Sequence, residues 1–338
     1  LDESKVDWAL AELCAYGSIL IDGNDVRMSG QDVKRGTFSH RHAIFYDAKT
    51  FEEYNRLSDI DDDQGRFMIY NSLLSEFAVL GFEYGYSLAS PDSLVVWEAQ
   101  FGDFYNGAQT IVDQYITAAE SKWQRMSGLV MLLPHGYAGQ GPEHSSARLE
   151  RFLQSSAEFN ITVANITTPA NFFHIIRRQL AREFRKPLII MSPKSLLRHP
   201  LCVSDISELH TGHGFKEVLD DETIESAAKV RKLILCTGKI YYDLLEAREA
   251  KDIAIVRLEQ LYPFPEKQIL AILKKYKNAE YAWVQEEPGN MGSWQYILSF
   301  MKDTAITHIA RKPSASPATG FKKQHDEEQA EIIARALS

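Results

Sequence analysis

Strand-length apolar runs alternate with helical stretches along most of this chain, and that alternation restricts it to few folds. The runs "LVMLLP", "ITVANIT", "PLIIMS", "KLILCTG" and "IAIVRLEQ" each suit one buried strand, and the segments between them repeat apolar residues every three or four positions. Strands alternating with helices indicate βαβ units and a parallel sheet covered on both faces. The expected fold class is α/β, with two consecutive domains of mainly parallel sheets flanked by helices. A chain of 338 residues is too long for one ordinary core and suits two domains of roughly 150 to 200 residues. Residues 194–230 are poor in periodicity and read as a connection, so the boundary is expected near residue 200, giving 1–200 and 201–338.

Within that frame, Val6, Ala9, Leu10, Leu13 and Tyr16 predict a helix over 4–21. A short strand follows at "DVRMSGQD", then a polar loop, "VKRGTFSHRHA", and an acidic stretch over 48–66 that reads as a solvated surface loop. From Asn71, "LLSEFAVLGFEYGYSLA" predicts a largely buried helix. "FGDFYNGAQTIVDQYITAAESKW" predicts a loop and then one long helix. A second α/β run starts at "KLILCTG" and closes with a helix near 325–337.

No apolar run approaches the roughly 18 to 20 residues that span a bilayer, so no membrane role is expected. The net charge of −9, without a lysine and arginine block, argues against nucleic acid as a partner. Cys14, Cys202 and Cys236 are odd in number and far apart, which fits a reducing compartment rather than a disulfide framework or zinc site. The chain starts at Leu1, with nothing resembling a signal or transit peptide, and is expected to be a piece of something longer. Dinucleotide-binding, Walker A, H-E-x-x-H and G-x-S-x-G patterns are all absent.

The stretch "LVMLLPHGYAGQGPEHSSARLERFLQ" passes from a strand into a helix through a corner holding Gly136, Gly139 and Gly141. Such a corner lets the backbone approach a ligand closely. His135 and His144 flank it, and either imidazole suits an anionic substrate or a proton transfer, or simply orders the loop. Glu76 lies among Leu73, Leu74, Phe77 and Leu80, where a carboxylate needs a partner unless it sits on the polar stripe with Ser72 and Ser75. Phe101, Phe104 and Tyr105 follow a strand directly, where aromatics suit either stacking on a flat heterocycle or filling a dimer interface.

Together, "GQDVKRGTFSHRHA", "SEFAVLGFEYGY", "WEAQFGDFYNGAQ", "LLPHGYAGQGPEHSSARLERFLQ", "PLIIMSPKSLLRHP", "GKIYYDLL", "IAIVRLEQLYPFP" and "QEEP" closely resemble the decarboxylating component of 2-oxoglutarate dehydrogenase. That family is made of thiamine-diphosphate enzymes of the transketolase superfamily. The resemblance runs from about Gln31 to the end of the chain and implies a transketolase-like pyrimidine-binding domain followed by a transketolase C-terminal-like domain. The G-D-G signature that holds magnesium and diphosphate in the family is absent here, which implies that another domain supplies it.

By the same resemblance, Glu76 matches the catalytic glutamate that hydrogen-bonds the pyrimidine ring nitrogen and so promotes removal of the thiazolium proton. Phe101 matches the aromatic that stacks on the aminopyrimidine, with Phe104 beside it, and Gln31 matches a glutamine that contacts the cofactor across a subunit interface. His144 matches a histidine that meets the 2-oxo acid, which leaves His135 as loop support and His42 as a weaker supporting candidate. Thr162, Arg178, Gln260 and Lys267 fall at positions of an effector site for a nucleotide or acyl-coenzyme A, although Gly214 and Glu217 depart from that pattern.

The implied reaction decarboxylates 2-oxoglutarate in the tricarboxylic acid cycle and passes the succinyl unit to a lipoyl group of dihydrolipoyl succinyltransferase. A homodimer is implied, in the cytoplasm of a bacterium or the mitochondrial matrix of a eukaryote, and the isolated piece is expected to be inactive. Three alternatives stay open: a 2-oxoadipate-preferring relative, a β-like subunit of a two-gene enzyme, and a dimerisation and docking module.

Overall fold

The first helix is set by its cap: the Asp7 side chain accepts the Leu10 N–H at 2.9 Å, and the helix Trp8–Ile21 follows. This computed structural model describes residues 4–338; the first three residues of the expected first domain lie outside that range. The predicted helix over 4–21 is shorter than expected, because Lys5–Val6 instead pairs antiparallel with Ser204–Asp205. Trp8 packs against Phe172 of the helix Pro169–Ala181, with ring centroids 4.9 Å apart. That second helix starts on Thr168, whose side chain accepts the Asn171 N–H, with proline in the first turn where no N–H is needed.

Seven strands form the larger sheet. In spatial order they are Gln260–Tyr262, Thr162–Asn165, Leu188–Ser192, Val130–Pro134, Leu94–Glu98, Val26–Gly30 and Phe67–Asn71. All neighbours are parallel except Gln260–Tyr262, which runs antiparallel to Thr162–Asn165 and comes from the second half of the chain. The central strands are buried along their whole length, as expected for a sheet covered on both faces. A second sheet orders Val218–Leu219, Ile253–Leu258, Lys232–Cys236, Glu280–Pro288 and Ile306–Arg311. The fold class is therefore the expected α/β arrangement. No helix among the described residues is long and apolar enough to cross a membrane.

Three local expectations are corrected. The acidic stretch over 48–66 contains a strand, Glu53–Asn55, hairpinned onto Ile44–Tyr46. The long helix expected after Phe101 is broken into a 3-10 segment, Gly102–Ala108, and short α and π turns, ending at Trp123. Thr117 explains the break: its N–H and hydroxyl both bond to the Val112 carbonyl at 3.0 Å, which opens the i→i+4 ladder. Finally, the helix expected from Asn71 starts only at Glu76 and is not largely buried. Leu73 and Leu74 are 78% and 83% exposed, and Phe77 and Phe82 are exposed as well.

Candidate active site

In an open parallel sheet, side chains able to meet a ligand gather beyond the carboxyl ends of the strands. Gln31 follows Val26–Gly30, Glu76 lies just beyond Phe67–Asn71, and Phe101 follows Leu94–Glu98. The glycine corner follows Val130–Pro134, and Lys194 follows Leu188–Ser192. One sheet edge thus carries most of the residues singled out from the sequence.

Glu76 is the first residue of its helix rather than part of a buried apolar stripe, and it is half-buried. Ser75 caps that helix by accepting the Ala78 N–H at 3.3 Å. The Gln31 amide donates to Glu76 Oε1 at 3.1 Å, while Oε2 carries no hydrogen bond among the described residues. A Cβ on Gly107 would lie 3.5 Å from Oε2, so glycine keeps the space beside this oxygen clear.

Phe101, Phe104 and His144 form a half-buried aromatic cluster. His144 meets Phe101 edge-on at 4.4 Å and Phe104 at 5.7 Å, and the two phenyl rings lie 5.8 Å apart. Gly102 is what allows this closeness. A Cβ there would come 2.5 Å from Ala147 Cβ and 2.7 Å from the Pro134 carbonyl oxygen, so the turn bearing Phe101 and the loop bearing His144 could not both keep their places. Gly102→Ala is expected to destabilise the protein by about 1 to 3 kcal/mol, measured by urea unfolding.

The other histidines do different work. His135 is buried, accepts the Ala147 N–H on Nδ1 at 3.0 Å and has Nε2 2.9 Å from Glu287, so its proton sits on Nε2 and the ring ties the corner to the second sheet. His42 is half-buried, with Nε2 3.0 Å from the Ser39 carbonyl, and holds a turn.

Three groups at this edge escaped the sequence reading. Asp103 accepts the Ser145 and Ser146 N–H groups at 3.2 and 3.1 Å. Burial pushes its carboxyl up, against those bonds and the charge of Lys194. Lys194 is buried beneath the corner. A charge network of Glu12, Arg41 and Glu98 lies behind Phe38, whose ring meets Phe101 edge-on at 5.4 Å. Only Lys194 had a readable signal, its place just after an apolar strand.

The four residues matched to an effector site are partly gathered. Arg178 donates to Gln260 at 2.8 Å, lies 3.5 Å from Glu217 and stacks over Phe215. Burial, together with Arg182, pulls its pKa down to about 10. Thr162 is buried within its strand, with its N–H on the Pro187 carbonyl, and Lys267 is exposed.

Comparison with known proteins gives the family of the chain. Residues 4–200 match the family described as "Transketolase, pyrimidine binding domain", and residues 203–337 match "2-oxoglutarate dehydrogenase C-terminal". The chain is similar to proteins named "2-oxoglutarate dehydrogenase E1 component" from Brucella anthropi, 51% identical over 98% of this chain, and from Brucella ovis and Brucella canis, each 50% identical over the same share. It spans 35% of the length of each of these relatives. The first match covers more than half of the chain, and the chain therefore belongs to the transketolase pyrimidine-binding family, with a 2-oxoglutarate dehydrogenase C-terminal region following it.

Proposed function

We propose that this chain forms the pyrimidine-binding side of a thiamine-diphosphate-dependent 2-oxoglutarate dehydrogenase active site. The observation that carries the reading is the Glu76 carboxylate, steadied by Gln31 on one oxygen and open on the other, at the same sheet edge as the half-exposed Phe101, Phe104 and His144 rings. This donor set fits an aminopyrimidine: a carboxyl for a ring nitrogen, and flat apolar faces for the ring. Bound thiamine diphosphate supplies the carbon nucleophile and electron sink that decarboxylation of a 2-oxo acid requires.

The chain's own groups then have separate tasks. Glu76 shares a proton with the pyrimidine ring nitrogen, and Gln31 fixes the carboxyl plane. Phe101 stacks on the ring, and Phe104, nearly perpendicular to it, lines the same pocket and excludes water. His144 donates toward negative charge on the 2-oxo acid. Magnesium and the diphosphate fall to residues outside this chain, since no G-D-G occurs in it. The succinyl group passes to the lipoyl group of dihydrolipoyl succinyltransferase, in the cytoplasm of a bacterium.

The substrate is tested in the complete gene product with thiamine diphosphate, magnesium and a redox dye. Expected is a kcat/KM for 2-oxoglutarate at least about tenfold above that for 2-oxoadipate, a gap of about 1.4 kcal/mol. A preference for 2-oxoadipate overturns the assignment.

The same reading calls for a second copy of the chain. Leu73, Leu74, Phe77 and Phe82 form an exposed apolar surface around the start of the Glu76 helix. Such surface on a folded protein marks an interaction site, and closed twofold pairing is its commonest use. Leu74→Asp is expected to shift the complete protein from dimer toward monomer by at least about tenfold in dissociation constant, measured by sedimentation. An unchanged dimer removes this face from the interface.

A further inference from the structure

We infer that Lys194 is a positioning residue of this site, tethering the loop that carries His144. The inference rests on the proposed role of His144. Lys194 is only 8% exposed, directly after the strand Leu188–Ser192. Its Nζ donates to the His144 carbonyl and, at 3.2 Å, to Gln140 Oε1, so one ammonium grips the corner at two places four residues apart. It also lies 5.8 Å from the centre of the Phe101 ring, on which the His144 ring packs.

The corner depends on side chains to hold its carbonyl oxygens in place. Its backbone has no regular structure from 135 to 148 and contains Gly136, Gly139 and Gly141, all with positive φ. Gly136 N–H reaches the Ser145 carbonyl, His135 anchors the far side to Glu287 and Asp103 accepts the Ser145 and Ser146 N–H groups, while among the described residues Lys194 is the one side chain that donates to the His144 carbonyl. A buried ammonium needs its protons placed, and a flexible loop needs a fixed donor; the two requirements meet at this point.

The tether is also sensitive to pH. Burial pulls the Lys194 ammonium down to about 8, opposed by Asp103 and Glu286 and reinforced by Lys239. These groups face it from the turn after Leu94–Glu98, from the strand Glu280–Pro288 and from the start of the helix Ile240–Ala247, with His135 and His144 on the corner itself. The folded value lies below the ordinary lysine value of 10.5, so the amine is charged below about pH 8 and neutral above it. The charged form makes the stronger bonds to the two carbonyl oxygens. The grip on the corner therefore weakens as pH rises through 8.

The test uses the complete gene product and reads amide hydrogen exchange over residues 136–147, corrected for the intrinsic rate at each pH. In the wild type, protection is expected to fall about tenfold between pH 7 and pH 9.5. In Lys194→Met it is expected to be low at both pH values, and in Lys194→Gln, which keeps a donor without charge, intermediate at both. Protection in the wild type that does not change with pH, or that survives in both variants, overturns the tether. The wild-type series decides the point even where a variant folds poorly.

A kinetic cycle separates this outcome from failure of the functional reading. Lys194→Met is expected to lower kcat/KM about 30-fold in the wild-type background and under threefold when His144 is already alanine. Equal losses in both backgrounds, with the exchange result intact, leave the tether standing and contradict the role of His144. Equal losses together with unchanged exchange overturn the inference itself.

Discussion

Replacing Glu76 with alanine is expected to lower 2-oxoglutarate decarboxylation by about 10²- to 10⁴-fold, the range a positioned acid or base supplies. Glu76→Gln is expected to fall in the same range, because an amide keeps the shape and the Gln31 contact but cannot share a proton. Both variants should fold. Glu76 is half-buried at a helix start, where a carboxylate contributes about 0.3 to 1 kcal/mol through the helix dipole. Steady-state dye reduction gives the rate, and urea unfolding gives the stability. Unchanged activity in Glu76→Gln would remove proton sharing from the account.

The largest stability effect is expected at Arg41. The residue is 1% exposed, and its guanidinium lies between two buried carboxylates, with Nη2 2.8 Å from Glu12 Oε1 and Nη1 3.0 Å from Glu98 Oε1; Nη1 also donates to the Val33 carbonyl at 2.9 Å. Arg41→Met leaves both carboxylates buried without their partner, which costs about 3 to 5 kcal/mol. Pairing it with Glu12→Gln and Glu98→Gln should recover part of the loss, since no unpaired charge then stays inside.

The same network dictates an acid limb of stability. Burial alone would push the Glu12 carboxyl up, but Arg41 and the His40 ring outweigh it and hold it at about 2, below its ordinary 4.5. Because the folded value is depressed, the contribution is complete above about pH 4.5 and disappears as pH falls toward 2. Wild-type stability measured by urea should therefore drop across that window, and Arg41→Met should show a shallower drop.

The sheet was legible in the sequence because parallel strands buried on both faces must be continuous apolar runs, and "LVMLLP" and "PLIIMS" are such runs. The helix bearing Glu76 was misjudged for an instructive reason. Leu73, Leu74, Phe77 and Phe82 carry the spacing of a buried helix, yet within this chain they are exposed, and this is the face that the proposed pairing with a second copy would cover. The long helix expected after Phe101 failed at Thr117, whose hydroxyl competes for the Val112 carbonyl, a local hydrogen bond that apolar periodicity does not register.

At the site, Glu76, Gln31, Phe101, Phe104 and His144 were suggested by resemblance, and the structure brings Gln31 to Glu76 and His144 to the two phenyl rings. Arg41 stayed hidden because a lone cation in a polar stretch looks like a solvated one, and Lys194, although placed just after an apolar strand, reads as solvated for the same want of a visible partner. Only the fold shows that both are buried and that each faces several partners.

The most direct measurement of the central claim is exchange of the thiazolium C2 proton of thiamine diphosphate bound to the complete gene product, followed by quenched-flow NMR in deuterated buffer. With Glu76 present, exchange should outpace turnover; with Glu76→Ala, it should slow by about 10²- to 10⁴-fold at equal cofactor occupancy. Equal exchange rates in the two proteins would contradict the account, because the carboxylate held by Gln31 would then have no part in moving that proton.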